Sequence, residues 1–376
     1  MPVTSFKFDP ALTREFIEFG YSLYRDDARW IPPFRRTIAR QLSPGYFMHR
    51  KPGNDHLNFL ARQGGRVVGR ASAMVNAALK DADGTAVGTV GFFECVEDPS
   101  VAASLLDAAR DWLRSEHGIG RIWGPMNFDI WHGYRFLTRG FGEEPFYGEP
   151  ANKPYYPDYF ERYGFARRRT WVSLEVRGRS RLEALVERGK ARHTLLVERG
   201  YRSAPAESRA SRADMKKLYD LMTASFGGFL GFTPISFEDF ERLARPMRHA
   251  LAMPMSIFVY DEAGGLAGFA LTLYELSAAV RAMKGREHPL SLARFFYHRR
   301  RVRRLNFYAA GETPEEQAKR AGLGRAGIYY VVDQALRHGY EDIIFALMVK
   351  ESRVQGLFPS LMGEAQREYA LYELNA

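Results

Sequence analysis

The chain repeats itself. Residues 57–75 read LNFLARQGGRVVGRASAMV and residues 255–274 read MSIFVYDEAGGLAGFALTLY. In each, two apolar, β-type runs flank a Gly-Gly pair, at Gly64-Gly65 and at Gly264-Gly265, the pattern of a β-hairpin. The segments after the two hairpins match as well. The first copy continues with a strand at 88–96, a helix with apolar residues at helical spacing over about 100–116, and a short strand, GRIWGPM. The second continues with a strand at 304–310, a helix over about 326–338 and the strand DIIFALMV. Both finish in aromatic-rich strands, RTWVSLEV (169–176) and REYALYEL (367–374). Five elements in the same order describe an α/β chain of two tandem units. Strands separated by a helix make each sheet partly parallel. The boundary is expected near residue 177, giving units 1–176 and 177–376, with the charged stretch from Arg177 to Lys190 carrying the crossover.

The remaining composition narrows the chemistry. Cys95 is the single cysteine, so a disulfide framework and a metal site built on paired cysteines are excluded. The first residues lack the basic and apolar regions of a signal peptide, and no run reaches the ~18 apolar residues of a spanning helix. The expected location is cytoplasmic. A net charge of +10 favours anionic partners. That charge is concentrated from Arg294 to Arg304, RFFYHRRRVRR, with no acid between Glu287 and Glu312. An amphipathic basic segment suits the anionic inner face of a membrane. A solvated face and an RNA patch are the alternatives, and no nucleic-acid motif accompanies the run.

A second local signal is GETPEEQAKRAGLGRAGIYY, residues 311–330. Lys319, Gly322 and Gly324 stand at the spacing basic-x-x-Gly-x-Gly, and a helix comes next. Glycines let a backbone approach an anion, and a helix start offers unpaired N–H groups and partial positive charge. Arg320 and Arg325 add formal charge. Gly322, Gly324 and Gly327 also spell a dinucleotide fingerprint, but polar residues separate them from the preceding strand and no acid ends the next one. A glycine-rich helix start without a ligand is the plain alternative.

With this loop in place, the layout resembles the GCN5-related N-acetyltransferase (GNAT) superfamily. The resemblance implies two GNAT-like units, each a mostly antiparallel mixed sheet flanked by helices, and an acyl-CoA co-substrate with no metal. Its pyrophosphate loop would be Lys319, Arg320, Gly322, Leu323, Gly324 and Arg325. The first unit ends in NKPYYPDYFERYGF (152–165), like the superfamily segment that closes round pantetheine, with Asn152, Gly164 and Phe165 matching. Phe160 stands where a thiolate-protonating tyrosine often does, which leaves Tyr156, Tyr159 and Tyr163 as candidates to hydrogen-bond substrate or thiolate. The match is incomplete in both units. The first has EDPSVAASLL where the glycine loop belongs, and the second has Arg353 where the Asn would fall. The loop favours the second unit for acyl-CoA.

Transfer of an acyl group to an amine needs a proton acceptor and a donor to the carbonyl oxygen. Glu94 lies mid-strand among aromatics, on one face with Phe92, where the superfamily often places its base; a solvent-facing glutamate is the plain reading. His132, in the aromatic loop NFDIWHGYRF, is the second candidate base or else a structural hydrogen-bonder. LMTASFGGFLGFTP (221–234) reads as a loop or short helix whose Phe226 and Phe229 could line an acceptor or acyl pocket. Trp30-Ile31-Pro32-Pro33 and the Asn152-to-Tyr156 run look like those of GNAT-type bacterial ceramide synthases, which implies N-acylation of a lipid-like amine such as a sphingoid base. A non-catalytic binding module and an aminoacyl-tRNA-dependent transferase are the rival expectations.

Overall fold

The computed structural model describes residues 1–206, 212–319, 322–351 and 365–376, with the side chains of Pro246, Arg248 and Arg325 left aside. Arg320 and Arg353 therefore lie outside the described residues. The first half runs β1 (Val3–Phe6), α1 (Pro10–Leu23), α2 (Arg35–Gln41), β2 (Asp55–Gln63), β3 (Arg66–Lys80), β4 (Ala86–Cys95), α3 (Pro99–His117), β5 (Arg121–Gly124), β6 (Phe136–Arg139), α4 (Tyr156–Tyr163) and β7 (Ala166–Arg177). The second half runs α5 (Arg179–Glu198), β8 (Arg202–Pro205), α6 (Arg212–Phe226), α7 (Phe237–Ala244), β9 (Ile257–Tyr260), β10 (Leu266–Tyr274), α8 (Ser277–Met283), α9 (Pro289–Arg299), β11 (Arg304–Glu312), α10 (Pro314–Lys319), α11 (Leu323–Arg337), β12 (Asp342–Val349) and β13 (Arg367–Asn375).

The local chemistry is visible at the boundaries. Gly64 and Gly65 both have positive φ (55° and 76°), which a tight hairpin turn demands of its two central residues. Helix α3 starts at Pro99, is capped by the Asp98 carboxylate accepting from Ser100 N at 2.8 Å, and stops at left-handed Gly118. The run 221–234 is only partly loop, because Leu221–Phe226 complete α6; their apolar spacing buries Leu221 and Ser225 on the sheet. The charged stretch after Arg177 forms α5, which lies along α11.

One mixed sheet holds the described strands, in the order β1-β2-β3-β4-β5-β13-β7-β12-β11-β10-β9-β8, with β6 beside β13. Most pairs are antiparallel. The two parallel ones, β4 with β5 and β11 with β12, are the pairs joined through a helix. The closing strands are exchanged. Strand β13, the last in the chain, pairs with β5 of the first copy, and β7 pairs with β12 of the second. Packing accompanies pairing: Ala370 and Tyr372 join the first copy's core, and Leu174 and Val176 join the second's. The sheets of the two copies are thereby one.

Each parallel pair is short. β4 and β5 pair only from Val87↔Arg121 to Thr89↔Trp123, and β11 and β12 only from Arg304↔Asp342 to Phe307↔Phe345. Just beyond, the register slips by one residue, between Ser72↔Gly91 and Arg70↔Glu94 in one copy and between Thr272↔Phe307 and Leu271↔Ala309 in the other. Such bulges re-aim the side chains beyond them.

Candidate active site

Gly91 shapes the end of the first parallel pair. A Cβ there would meet Asn127 Oδ1 at 2.2 Å and Met126 O at 2.6 Å, so only glycine lets the chain after β5 come this close to β4. Asn127 Oδ1 then accepts from Phe92 N at 2.8 Å, and φ of Phe92 is 48°. The bulge turns Glu94 inward, towards the end of α1. Tyr24 OH donates to Glu94 Oε2 at 3.0 Å and Tyr156 OH donates to the same oxygen at 2.7 Å. Arg70, opposite it on β3, brings a guanidinium nitrogen within 3.9 Å of Oε1. Burial lifts the Glu94 pKa above the ordinary carboxylate value, against the pull of Arg70 and the two hydroxyls. Burial and the neighbouring Glu94 charge likewise push both tyrosines well up. The cluster is thus a buried carboxylate held by two hydroxyls and faced by one guanidinium.

A cleft of about 620 Å3 adjoins this cluster, lined by Leu23, Val96, Glu97, Lys153, Pro154 and Tyr155. Lys153 lies over the Tyr24 ring at 4.4 Å, and Tyr155 OH donates to Cys95 O at 2.9 Å. Its neighbour Asn152 is committed to the backbone: its amide bonds both the N–H and the C=O of Leu137 on β6. That tie places the 153–156 segment over β4. Tyr159 is buried, its ring 5.1 Å from Tyr155. Tyr163 points the other way, donating to Asp107 of α3 at 2.7 Å. Of the tyrosine candidates, Tyr156 alone bonds Glu94. Tyr24 and Arg70 were not singled out in the sequence. An arginine inside the small, apolar run VVGRASAMV was the available signal; nothing marked Tyr24.

The second copy is built differently at the matching point. Ala310 pairs with Ala270 where Glu94 pairs with Arg70, so no carboxylate stands there. Its asset is the start of α11. Gly322 is left-handed (φ 78°) and α11 has no side-chain cap of its own. Gly324 N instead donates to the Glu312 carboxylate at 2.7 Å, reached from the end of β11. Burial and Glu316 raise the Glu312 pKa, while Gly324 N and the nearby Arg192 of α5 oppose the shift. The loop thus already holds an anionic oxygen. Lys319 turns to Glu316 at 2.7 Å, and Leu323 is buried in the second core. In the first copy, the matching helix start is closed by Asp98.

Glu94 and this loop are not brought together. β4 and β11 stand five strand positions apart, roughly 24 Å at the usual spacing.

His132 belongs to a third cluster, between the copies. Its Nδ1 is 2.6 Å from Asp129 Oδ1 and its Nε2 is 2.5 Å from Tyr46 OH. Thr233, from the loop after α6, donates to Asp129 Oδ2 at 2.6 Å, and Trp131 Nε1 donates to Thr233 O at 2.8 Å. Both His132 and Asp129 side chains are fully buried and both ring nitrogens are engaged, so the cluster joins the halves and presents no free base. The Phe226 ring lies tilted 4.9 Å from that of Phe229, which is half exposed in the same loop. Among the described residues, no group of three or more His, Cys, Asp or Glu is placed to hold a metal.

No family model matches the chain. It is 24% identical over 371 residues to the protein YghO of Escherichia coli, covering 96% of this chain and 92% of that one. It is 25% identical over 299 residues to the bacterial ceramide synthase of Caulobacter vibrioides, covering 77% and 74%. Among solved structures, a tandem GNAT protein from the clavulanic acid biosynthesis pathway superposes with a TM-score of 0.52 at 13% identity, covering 99% of this chain and 98% of that one. A GCN5-related N-acetyltransferase from Sphaerobacter thermophilus gives 0.50 at 10% identity, covering 99% and 95%. The doubled hairpin-strand-helix-strand order, the two short parallel pairs and these superpositions agree: the chain has the fold of the GCN5-related N-acetyltransferases, in tandem.

Proposed function

We propose that the protein is an acyl-CoA-dependent N-acyltransferase whose proton acceptor is Glu94. The carrying observation is a buried carboxylate of raised proton affinity, held by two hydroxyls beside an open cleft. In this reading the acyl thioester lies in the cleft lined by Leu23, Val96, Lys153 and Tyr155. The ammonium of the second substrate passes a proton to Glu94, the neutral amine attacks the thioester carbon, and the C–S bond breaks as the nitrogen's second proton passes to the coenzyme A thiolate, which leaves as the free thiol. Lys153 supplies positive charge at the cleft for the co-substrate's phosphates. Tyr156 holds Glu94. The similarity to a ceramide synthase supports a long acyl chain and a lipid-like amine, of which a sphingoid base is an example. The division into units 1–176 and 177–376, a first unit bearing the chemistry and a second bearing the glycine loop, belongs to the same proposal.

One observation favours a second reading of the donor site. Gly324 N already holds a carboxylate at a helix start, as it would a pyrophosphate oxygen, and Arg192 lies close by. Acyl-CoA would then occupy the second copy by displacing Glu312. Calorimetric titration of coenzyme A into Lys153→Ala and Gly324→Val separates the two. Affinity lost only in Lys153→Ala places the donor in the first copy, and affinity lost only in Gly324→Val places it in the second. Retention in both removes both readings.

A further inference from the structure

The second copy spends residues 275–303 on the connection between β10 and β11, where the first joins β3 to β4 with residues 81–85. Antiparallel neighbours can be joined by a two-residue turn, so the sheet does not require the extra chain. That chain folds into α8 and α9. α9 is anchored through Phe295, and through Val302 just beyond it, against Leu273, Leu276 and Val280. Its remaining face is turned outward, with Leu290 59%, Leu292 43%, Phe296 49% and Tyr297 54% exposed. These are four of the nine large hydrophobic residues exposed among the described residues, gathered on one short helix. Single exposed apolar residues are normal, but a cluster marks a contact surface.

Its charge indicates what would cover it. Arg294, Arg300, Arg301 and Arg303 are exposed and none makes an ion pair among the described residues. By contrast Arg281 and Arg304, which flank the segment, are paired with Glu144 and Glu175. Glu287 is the one acid from Leu276 to Gly311. Nucleic acid would satisfy the arginines but bury neither Leu290 nor Leu292, and a second copy would set one basic face against another. An anionic bilayer surface satisfies both halves of the pattern.

We propose that α9 docks the chain on the anionic surface of a phospholipid membrane. The helix lies in the headgroup plane, Leu290, Leu292, Phe296 and Tyr297 enter the acyl boundary, and the arginines meet lipid phosphates. The test is co-sedimentation of the full chain with vesicles of phosphatidylglycerol mixed equally with phosphatidylcholine, and with phosphatidylcholine alone. These vesicles contain neither amine nor thioester, so the result is independent of the catalytic reading. Binding is expected to the mixed vesicles, to weaken in high salt, and to be poor on the neutral ones. Replacing Arg294, Arg300 and Arg303 together by Gln should lower partitioning about a hundredfold. Leu292→Ser with Phe296→Ser should also release the protein while leaving every charge in place. All five side chains are exposed, so unchanged thermal unfolding certifies each variant. The proposal is overturned by equal binding to both vesicle types, by binding to neither, or by retention in both variants. It is equally overturned if the chain binds RNA but not vesicles, or forms a dimer that Leu292→Ser with Phe296→Ser dissociates.

Discussion

Replacing Glu94 by Gln separates its two roles, because Glu94 is both the proposed proton acceptor and the counter-ion of buried Arg70. The groups approach to 3.9 Å with side chains 15% and 7% exposed. At an effective dielectric of about 20 their attraction is about 4 kcal/mol. Burial lowers the Arg70 pKa and raises that of Glu94, so each charge is held at a cost that the partner offsets. Glu94→Gln leaves Arg70 charged and uncompensated, and unfolding stability should fall by about 3–5 kcal/mol, a large part of the ~5–15 kcal/mol typical of a domain. Adding Arg70→Met removes the stranded charge. The double variant forfeits the bond from Arg70 to Phe16 O, 2.6 Å long, worth about 1 kcal/mol, but should regain most of the loss. Activity should not return with it: both variants remain about 10²- to 10⁴-fold slow. The wild-type rate should also fall as pH drops through the raised Glu94 pKa, a limb absent from the variants. Urea unfolding and thiol-release rates on the three proteins supply the data. A double variant that recovers activity with stability would refute the reasoning, since Glu94 would then act only as a counter-ion.

The same structure sets three further outcomes. Burial holds the His56 pKa down at about 3, whereas the unfolded chain titrates near 6.5; the folded state therefore binds fewer protons between these values. Its contribution is complete above pH 6.5 and declines as pH falls towards 3, by about 2 kcal/mol at pH 5, and His56→Leu should flatten the stability–pH curve over that window. Tyr372→Ala, at a fully buried position on the exchanged strand β13, should cost about 3–5 kcal/mol and lower one shared unfolding transition; a separate transition for either copy would count against the joined sheet. Thr233→Val removes the donor to Asp129 and should cost about 1–3 kcal/mol without altering the pH limb of the rate, which a catalytic His132 would not permit.

Much of this was legible in the sequence, for physical reasons. The hairpins, β4, α3, β11 and β12 are marked by alternation, helical spacing, an Asp-Pro start and glycine stops, all encoded locally. The exchange of β7 and β13 is not, because both are similar aromatic strands whose partners are chosen by the whole sheet. Glu94 was readable because a charge amid GTVGFFEC must be accounted for. Its partners Tyr24 and Arg70 come from distant elements, and spacing carries no trace of them. The glycine loop was visible as a phosphate-type motif. That Glu312 reaches across to its N–H depends on where β11 ends and α11 begins, which the motif does not specify.

The most direct test of the central claim is release of free coenzyme A thiol from acetyl- through stearoyl-CoA, with and without a sphingoid base and with small polar amines. The account predicts release that depends on the amine, is fastest with a long acyl chain and a lipid-like amine, and is lost in Glu94→Gln. Coenzyme A binding with no amine-dependent release from any of these donors would contradict it.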